Sequence, residues 1–249
     1  MADLLLREAR DGAVLLRMNR PGKRNAFNRD LSVAVTQAFD ELEADDGARA
    51  VVLTGVNEAF CAGADMTEAL ASIDAGVRGD VAAQAIARVG RFPKPVIAAI
   101  NGFAFGGGAV LACVCDLRLA SPNASFRFPG ASYGLVVGGT QLPRLVGPAK
   151  AKELIFTART VDADEAERIG LVNRVVPREE LEDAAWELAL QIAANSPDAV
   201  RWSKAVIDAA TTVDKGIDLE IEANRALRGS DDHTSRFRAA TERVAKSES

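Results

Sequence analysis

The chain is poor in the residues that most often carry chemistry. It has three cysteines, one histidine and one tyrosine in 249 residues. Cys61, Cys113 and Cys115 form an odd, sparse set, which excludes a disulfide framework and favours a reducing compartment. The C-x-C pair is not a metal-binding pattern, and all three cysteines read as small core residues. Long apolar runs are also missing. None approaches the roughly 18 residues that a spanning helix needs. The longest candidate, 96–114, is broken by Asn101 and four glycines. The opening MADLLLREARDGAVLL has acids and arginines inside its apolar stretch, so it reads as strand rather than signal peptide. An excess of positive charge is absent too: 30 basic residues face 35 acidic ones. That balance argues against a nucleic-acid surface. A cytoplasmic protein without nucleic-acid or membrane partners is expected.

What remains is a soluble, globular composition, 48% hydrophobic and 26% charged, on a chain long enough to bury a large core. Strands are expected at 4–7, 14–18, 50–54, 96–100, 117–120, 125–128 and 172–176. Asn28 should cap a helix to about Glu43, with Leu31, Val35, Phe39 and Leu42 on its buried face. A helical region from Thr67 to Val89 is interrupted at Gly76 and Gly79. Asp162 should cap another helix. From Glu179 onward only helices are expected, broken at 195–197 and near Gly229. Alternation of strands and helices up to about residue 176 makes the fold class α/β. Trp186 and Trp202 read as packing anchors of the tail.

Gly106, Gly107 and Gly108 open onto an apolar run with no polar side chain before Asp116, which fits a buried helix-end role. A phosphate loop would place a lysine after such glycines, and none follows. The spacing of a dinucleotide fingerprint also fails. Their position says more. A strand ends at Ile100, and a helix begins at about Gly108. Backbone N–H groups at a helix start are unpaired and carry the positive end of the dipole. Such groups can hold an oxyanion. The turn at 61–65 also joins a strand to a helix, and the small Ala64 leaves its N–H reachable. Two such turns can each offer one donor to a single carbonyl oxygen.

AFCAGADM (59–66) and PKPVIAAINGFAFGGG (93–108) resemble the two signature segments of the crotonase superfamily, the enoyl-CoA hydratase/isomerase family. NRPGKRNAFNRDL (19–31) is similar to the family's first CoA-contacting loop. CDLRLAS, the segment 144–177, NSPDAVRWSK and GSDDHTSRFRAATER resemble later parts in the right order, so the likeness covers nearly the whole chain. The resemblance implies a spiral of strand–strand–helix repeats, here residues 1–190 with the acyl-CoA site, followed by a C-terminal helical region, 191–249, that packs on the body or trimerises. It implies a homotrimer or dimer of trimers. It implies a CoA thioester as substrate, with no cofactor and no metal. The N–H groups of Ala64 and Gly107 would bind the thioester oxygen and stabilise an enolate. Backbone from Ala62 through Asp65 to Met66 would touch adenine and pantetheine. Arg24, or its neighbour Lys23, would sit near the CoA phosphates.

Two departures bear on the reaction. The hydratases' two catalytic glutamates fall at Val110 and Gly130, which cannot exchange a proton. Loss of an acid/base group costs on the order of 10²–10⁴ in rate. The loop after Gly130 is also shorter, and a slip in alignment reaches Ser132 or Tyr133 but no carboxylate. Efficient hydration is therefore not expected. Tyr133 in the acyl loop is the candidate substitute. Glu68, Asp74 and Asp80 lie on the stretch bordering the acyl pocket, and a water or anion in the space left by Gly130 is another possible base. His233 reads as a solvated or capping residue. Decarboxylation of a malonyl-type thioester needs no protein base and is one alternative. A non-catalytic acyl-CoA-binding protein is the other.

Overall fold

A six-stranded sheet forms the centre of the computed structural model, which describes residues 3–76, 81–211, 221–222 and 224–247. Its order is β1 (Leu5–Arg10), β2 (Ala13–Met18), β3 (Ala50–Gly55), β5 (Val96–Ile100), β7 (Leu117–Ala120), β10 (Arg174–Val175). The β1–β2 hairpin is antiparallel, and the remaining pairs are parallel. Every residue of β3 and β5 is buried, as expected for strands covered on both faces. Side chains alternate between two cores. Val51 and Leu53 face one, while Ala50 and Val52 face the other.

Each of three central strands is followed by a short strand of a second sheet. These are β4 (Ala59–Cys61), β6 (Phe103–Phe105) and β8 (Ser125–Arg127), with β9 (Thr160–Asp162) closing the edge. Helices follow each pair: α2 (Met66–Asp74) with α3 (Val81–Gly90), then α4 (Gly107–Val114), then α5 (Leu142–Thr157). This is the expected strand–strand–helix spiral. The second sheet is the main feature beyond the sequence reading. Of its strands only β8 was expected, at 125–128; the others are too short to show a period-2 pattern.

α1 (Arg29–Ala44) begins where expected: the Asn28 side chain accepts a hydrogen bond from Leu31 N. Its apolar face buries Leu31, Val35, Phe39 and Leu42. Phe39 stands edge-on to Phe92, with ring centroids 4.9 Å apart. Asp162 caps α6 (Ala163–Arg168) through Glu165 N. The strand expected at 172–176 shrinks to β10. Leu171 N and Val172 N both donate to Ala166 O, closing the turn after α6 instead.

The tail comprises α7 (Leu181–Ala193), α8 (Pro197–Thr211) and α9 (Asp231–Ser247). α7 covers the second core, where Leu181, Ala185, Trp186 and Ala189 meet the sheet. Trp186 is thus the anchor expected. Trp202 is not one within this chain: it lies 68% exposed on α8, and Val206 and Ile207 nearby are exposed too. α8 is held by charge instead. Lys204 Nζ donates to Asp116 Oδ2 (2.8 Å) and Lys94 O, and the same carboxylate oxygen accepts from Val96 N. Asp116 follows the end of α4 as expected, but it is part-buried rather than buried, and its carboxylate serves β5 and α8. Among the described residues no helix is long and apolar enough to cross a membrane.

Phe39→Ala should open a cavity in the first core and lower stability by about 3–5 kcal/mol, read as a fall in the denaturant midpoint.

Candidate functional site

Two strand-to-helix turns meet beside the second sheet. The first runs from β4 to α2. Gly63 has φ +97°, a conformation other residues adopt only with strain. Phe27 then pairs with Ala64 as a parallel bridge: Phe27 N donates to Gly63 O and Asp65 N to Phe27 O, each at 2.7 Å. This pattern uses the amides around Ala64 and leaves its own N–H out. The second turn runs from β6 to α4, whose N-cap, Gly106, offers no side-chain cap. Gly107 is the first helical residue, so its N–H has no intrahelical acceptor.

The turns touch through backbone. A Cβ on Gly108 would lie 2.0 Å from Cys61 O, so only glycine fits. A Cβ on Gly63 would lie 3.2 Å from Gly107 N, and one on Gly107 would lie 3.8 Å from Ala64 N. The Ala64 and Gly107 amides are therefore neighbours. Neither bonds to another described residue. Paired, pre-set N–H donors at a helix start can stabilise a charge that develops on an oxygen.

The neighbouring charges are already engaged. Asp65 caps α2 by accepting from Thr67 N and Glu68 N, and it pairs with Arg20 at 3.0 Å. Its carboxylate thus holds the turn, and its backbone is engaged as well, with N–H donating to Phe27 O and C=O accepting from Ala69 N. Glu68 accepts from Arg29 N, at the start of α1. Asp74 pairs with Arg238 of α9. Asp80 lies outside the described residues. Cys61, Cys113 and Cys115 are buried, and burial pushes each thiol up to about 12, so none is a thiolate near neutrality. Among the described residues no group of histidine, cysteine or carboxylate side chains could hold a metal.

Arg24 and Lys23 are exposed on the loop before α1. Arg24 O accepts from Ala62 N, tying this loop to the first turn. The Arg24 guanidinium lies 5.6 Å from the centre of the Phe103 ring. Met66 opens α2, partly buried.

Beside Gly107 the surface is apolar. Val110 on α4 is part-buried and close to Phe128 and Gly138. The space expected at Gly130 is not free for a water or anion. A Cβ there would lie 2.8 Å from Leu135 O and 2.9 Å from Val137 Cβ, so Val137 fills it. Tyr133 ends the single 3-10 turn that follows, and its ring meets Phe237 of α9 edge-on at 5.9 Å.

His233 contradicts the expectation of a solvated residue: it is 1% exposed. Its capping role holds. His233 N donates to Ser230 Oγ at the start of α9, and Nδ1 accepts from Gly229 N. Burial lowers its pKa from 6.5, Arg228 adds to this, and Asp232 opposes it. Three residues escaped the sequence reading. Arg20 and Asn25 brace the first turn, with Asn25 Nδ2 donating to Val56 O and Ala59 O. Asn224 clamps Val136 N and O, fixing the loop beyond Gly130. Asn25, at φ +56°, had one visible signal: asparagine tolerates the left-handed region. The other two had none.

Comparisons with known proteins show the family and the fold. The enoyl-CoA hydratase/isomerase family model matches residues 8–243. A short-chain-enoyl-CoA hydratase of Clostridium acetobutylicum is 44% identical over 83% of this chain and 81% of its own. A crotonyl-CoA hydratase of Syntrophomonas wolfei is 39% identical over 88% and 87%. The crystal structure of an enoyl-CoA hydratase/isomerase from Xanthobacter autotrophicus Py2 superposes with a TM-score of 0.87 at 30% identity, covering 97% of this chain and 94% of the other. The chain belongs to the enoyl-CoA hydratase/isomerase family, within the crotonase superfamily.

Two outcomes are expected. Gly108→Ala should drive α4 away from Cys61 and lower stability by about 3 kcal/mol or more, measured by chemical denaturation. Neutral His233 accepts the Gly229 N–H, and protonation removes that acceptor. The unfolded chain takes up this proton first, so the contribution is present above pH 6.5 and is lost as pH falls through the lower folded value. The melting temperature of the wild type should fall across that window, and His233→Gln should lack this component.

Proposed function

We propose that the protein is an acyl-CoA enzyme that stabilises a thioester enolate with the Ala64 and Gly107 N–H groups and uses no carboxylate at Val110 or Gly130. One observation carries this reading: the Ala64 and Gly107 amides are neighbours and neither has an acceptor, while Val110 stands one turn further along α4 and a side chain at Gly130 would meet Val137. Donors that are fixed before the reaction need no reorganisation when charge moves onto the thioester oxygen. Ala62, Asp65 and Met66 would contact the adenine and pantetheine through their backbone. Arg24, with Lys23 beside it, would meet the CoA phosphates. Tyr133, three residues beyond Gly130, would act as the proton-transferring group where the reaction uses one. The CoA thioester is substrate, and no cofactor or metal takes part. The exposed Trp202, Val206 and Ile207 on α8 would be covered in a homotrimer or dimer of trimers in the cytoplasm.

The wall favours a second reading, decarboxylation of a malonyl-type thioester. Loss of CO₂ leaves its electron pair on the α carbon, generating the enolate directly, and an apolar site disfavours the charged carboxylate. A protein that only binds acyl-CoA is the third.

Turnover of crotonyl-CoA, a 3-enoyl-CoA and methylmalonyl-CoA separates the three. Crotonyl-CoA hydration should be at least about 10²-fold below that of an acid-bearing relative. Rapid hydration would sink the reading of Val110 and Gly130. Binding without turnover of any thioester would favour the binding protein. Gly130→Glu alone should not restore hydration, because the new side chain meets Leu135 O and Val137.

A further inference from the structure

We propose that Arg20 is a positioning residue that fixes the Ala64 N–H. This rests on the reading of Ala64 and Gly107 as donors to the thioester oxygen. The guanidinium reaches both sides of the bridge that holds Ala64. Nη1 donates to Ala26 O, immediately before Phe27, and Nη2 donates to Asp65 Oδ2, immediately after Ala64. Phe27 and Ala64 are the bridged pair. One planar fork therefore ties the backbone just before Phe27 to the carboxylate of the residue just after Ala64. Both side chains are withdrawn from water, Arg20 at 16% exposed and Asp65 at 9%, so the pair is screened little.

Only arginine offers two diverging donors with this spacing; a lysine ammonium is a point charge on a flexible stem. Without the fork, Asp65 still caps α2, but the 26–27 segment is held against 63–65 by the two bridge hydrogen bonds alone and can tilt about them. The Ala64 N–H then loses its fixed direction, and a donor must be held closely to stabilise a developing charge. The loop itself has a separate anchor. Arg20 N donates to Asn25 Oδ1, and Asn25 Nδ2 donates to Val56 O and Ala59 O. A change in the Arg20 side chain leaves these bonds in place, so the loop should remain folded.

The test is isotope-edited infrared spectroscopy of bound [1-13C]butyryl-CoA, a saturated thioester open to neither hydration nor isomerisation. Donors to the thioester oxygen lower the carbonyl stretching frequency. Wild type should show a clear downshift relative to free butyryl-CoA. Arg20→Gln should bind butyryl-CoA within a few-fold of wild type yet show a smaller downshift, and Arg20→Lys should fall between. A purely structural ion pair would change the melting temperature and leave the carbonyl frequency unmoved. A downshift in Arg20→Gln equal to wild type overturns the proposal. If Arg20→Gln does not fold, a wild-type downshift in Arg20→Lys overturns it equally. Wild type that shows no downshift, or does not bind butyryl-CoA, overturns the donor reading itself, which keeps the two failures apart.

Discussion

The site depends on one steric constraint: two loop backbones must meet with no side chain between them. Cys61 O sits where a Cβ of residue 108 would be, and the Gly63 Cα position faces Gly107 N. Glycine makes the approach possible but does not hold it, since it adds freedom to the unfolded chain. The rigidity comes from outside. β4 and β6 lie side by side in the second sheet, and α4 is packed into the first core along Ala109, Leu111 and Ala112. The two unpaired amides are a by-product of this arrangement, one beside a bridge and one at a helix start.

Charge and apolar surface divide the site. On the first turn, Arg20, Asn25 and Asp65 are bonded to backbone or to one another, so their polarity holds geometry. On the far side, Val110, Val137 and Phe128 supply shape without protons. With this division, catalysis on the proposed reading is electrostatic rather than acid–base. α9 joins the two regions, since Arg238 pairs with Asp74 of α2 and Phe237 meets Tyr133.

The sequence showed most where a signal repeats or a residue type is demanding. β3 and β5 were legible as apolar runs, α1 from Asn28 and its four buried residues, and the turns from Gly63 and Gly106–Gly108. The resemblance supplied the pairing of Ala64 with Gly107, and the geometry makes them neighbours. Four things escaped. β4 and β6 are too short for any period. Trp202 read as a packing anchor because composition cannot tell burial within a chain from an exposed apolar face. His233 looked solvated among charges, yet the helix start folds it inward against Gly134 and Phe237. Arg20 was one arginine among many, since a fork spanning residues 26 and 65 leaves no local pattern.

The packing around Gly130 has a consequence for substitution. One exchange does not place a carboxylate there, because the incoming side chain meets both Leu135 O and Val137. Shrinking Val137 first leaves a void in the wall and gains nothing by itself. Gly130 and Val137 are therefore coupled by packing: a side chain at one position is possible only if the wall at the other gives way.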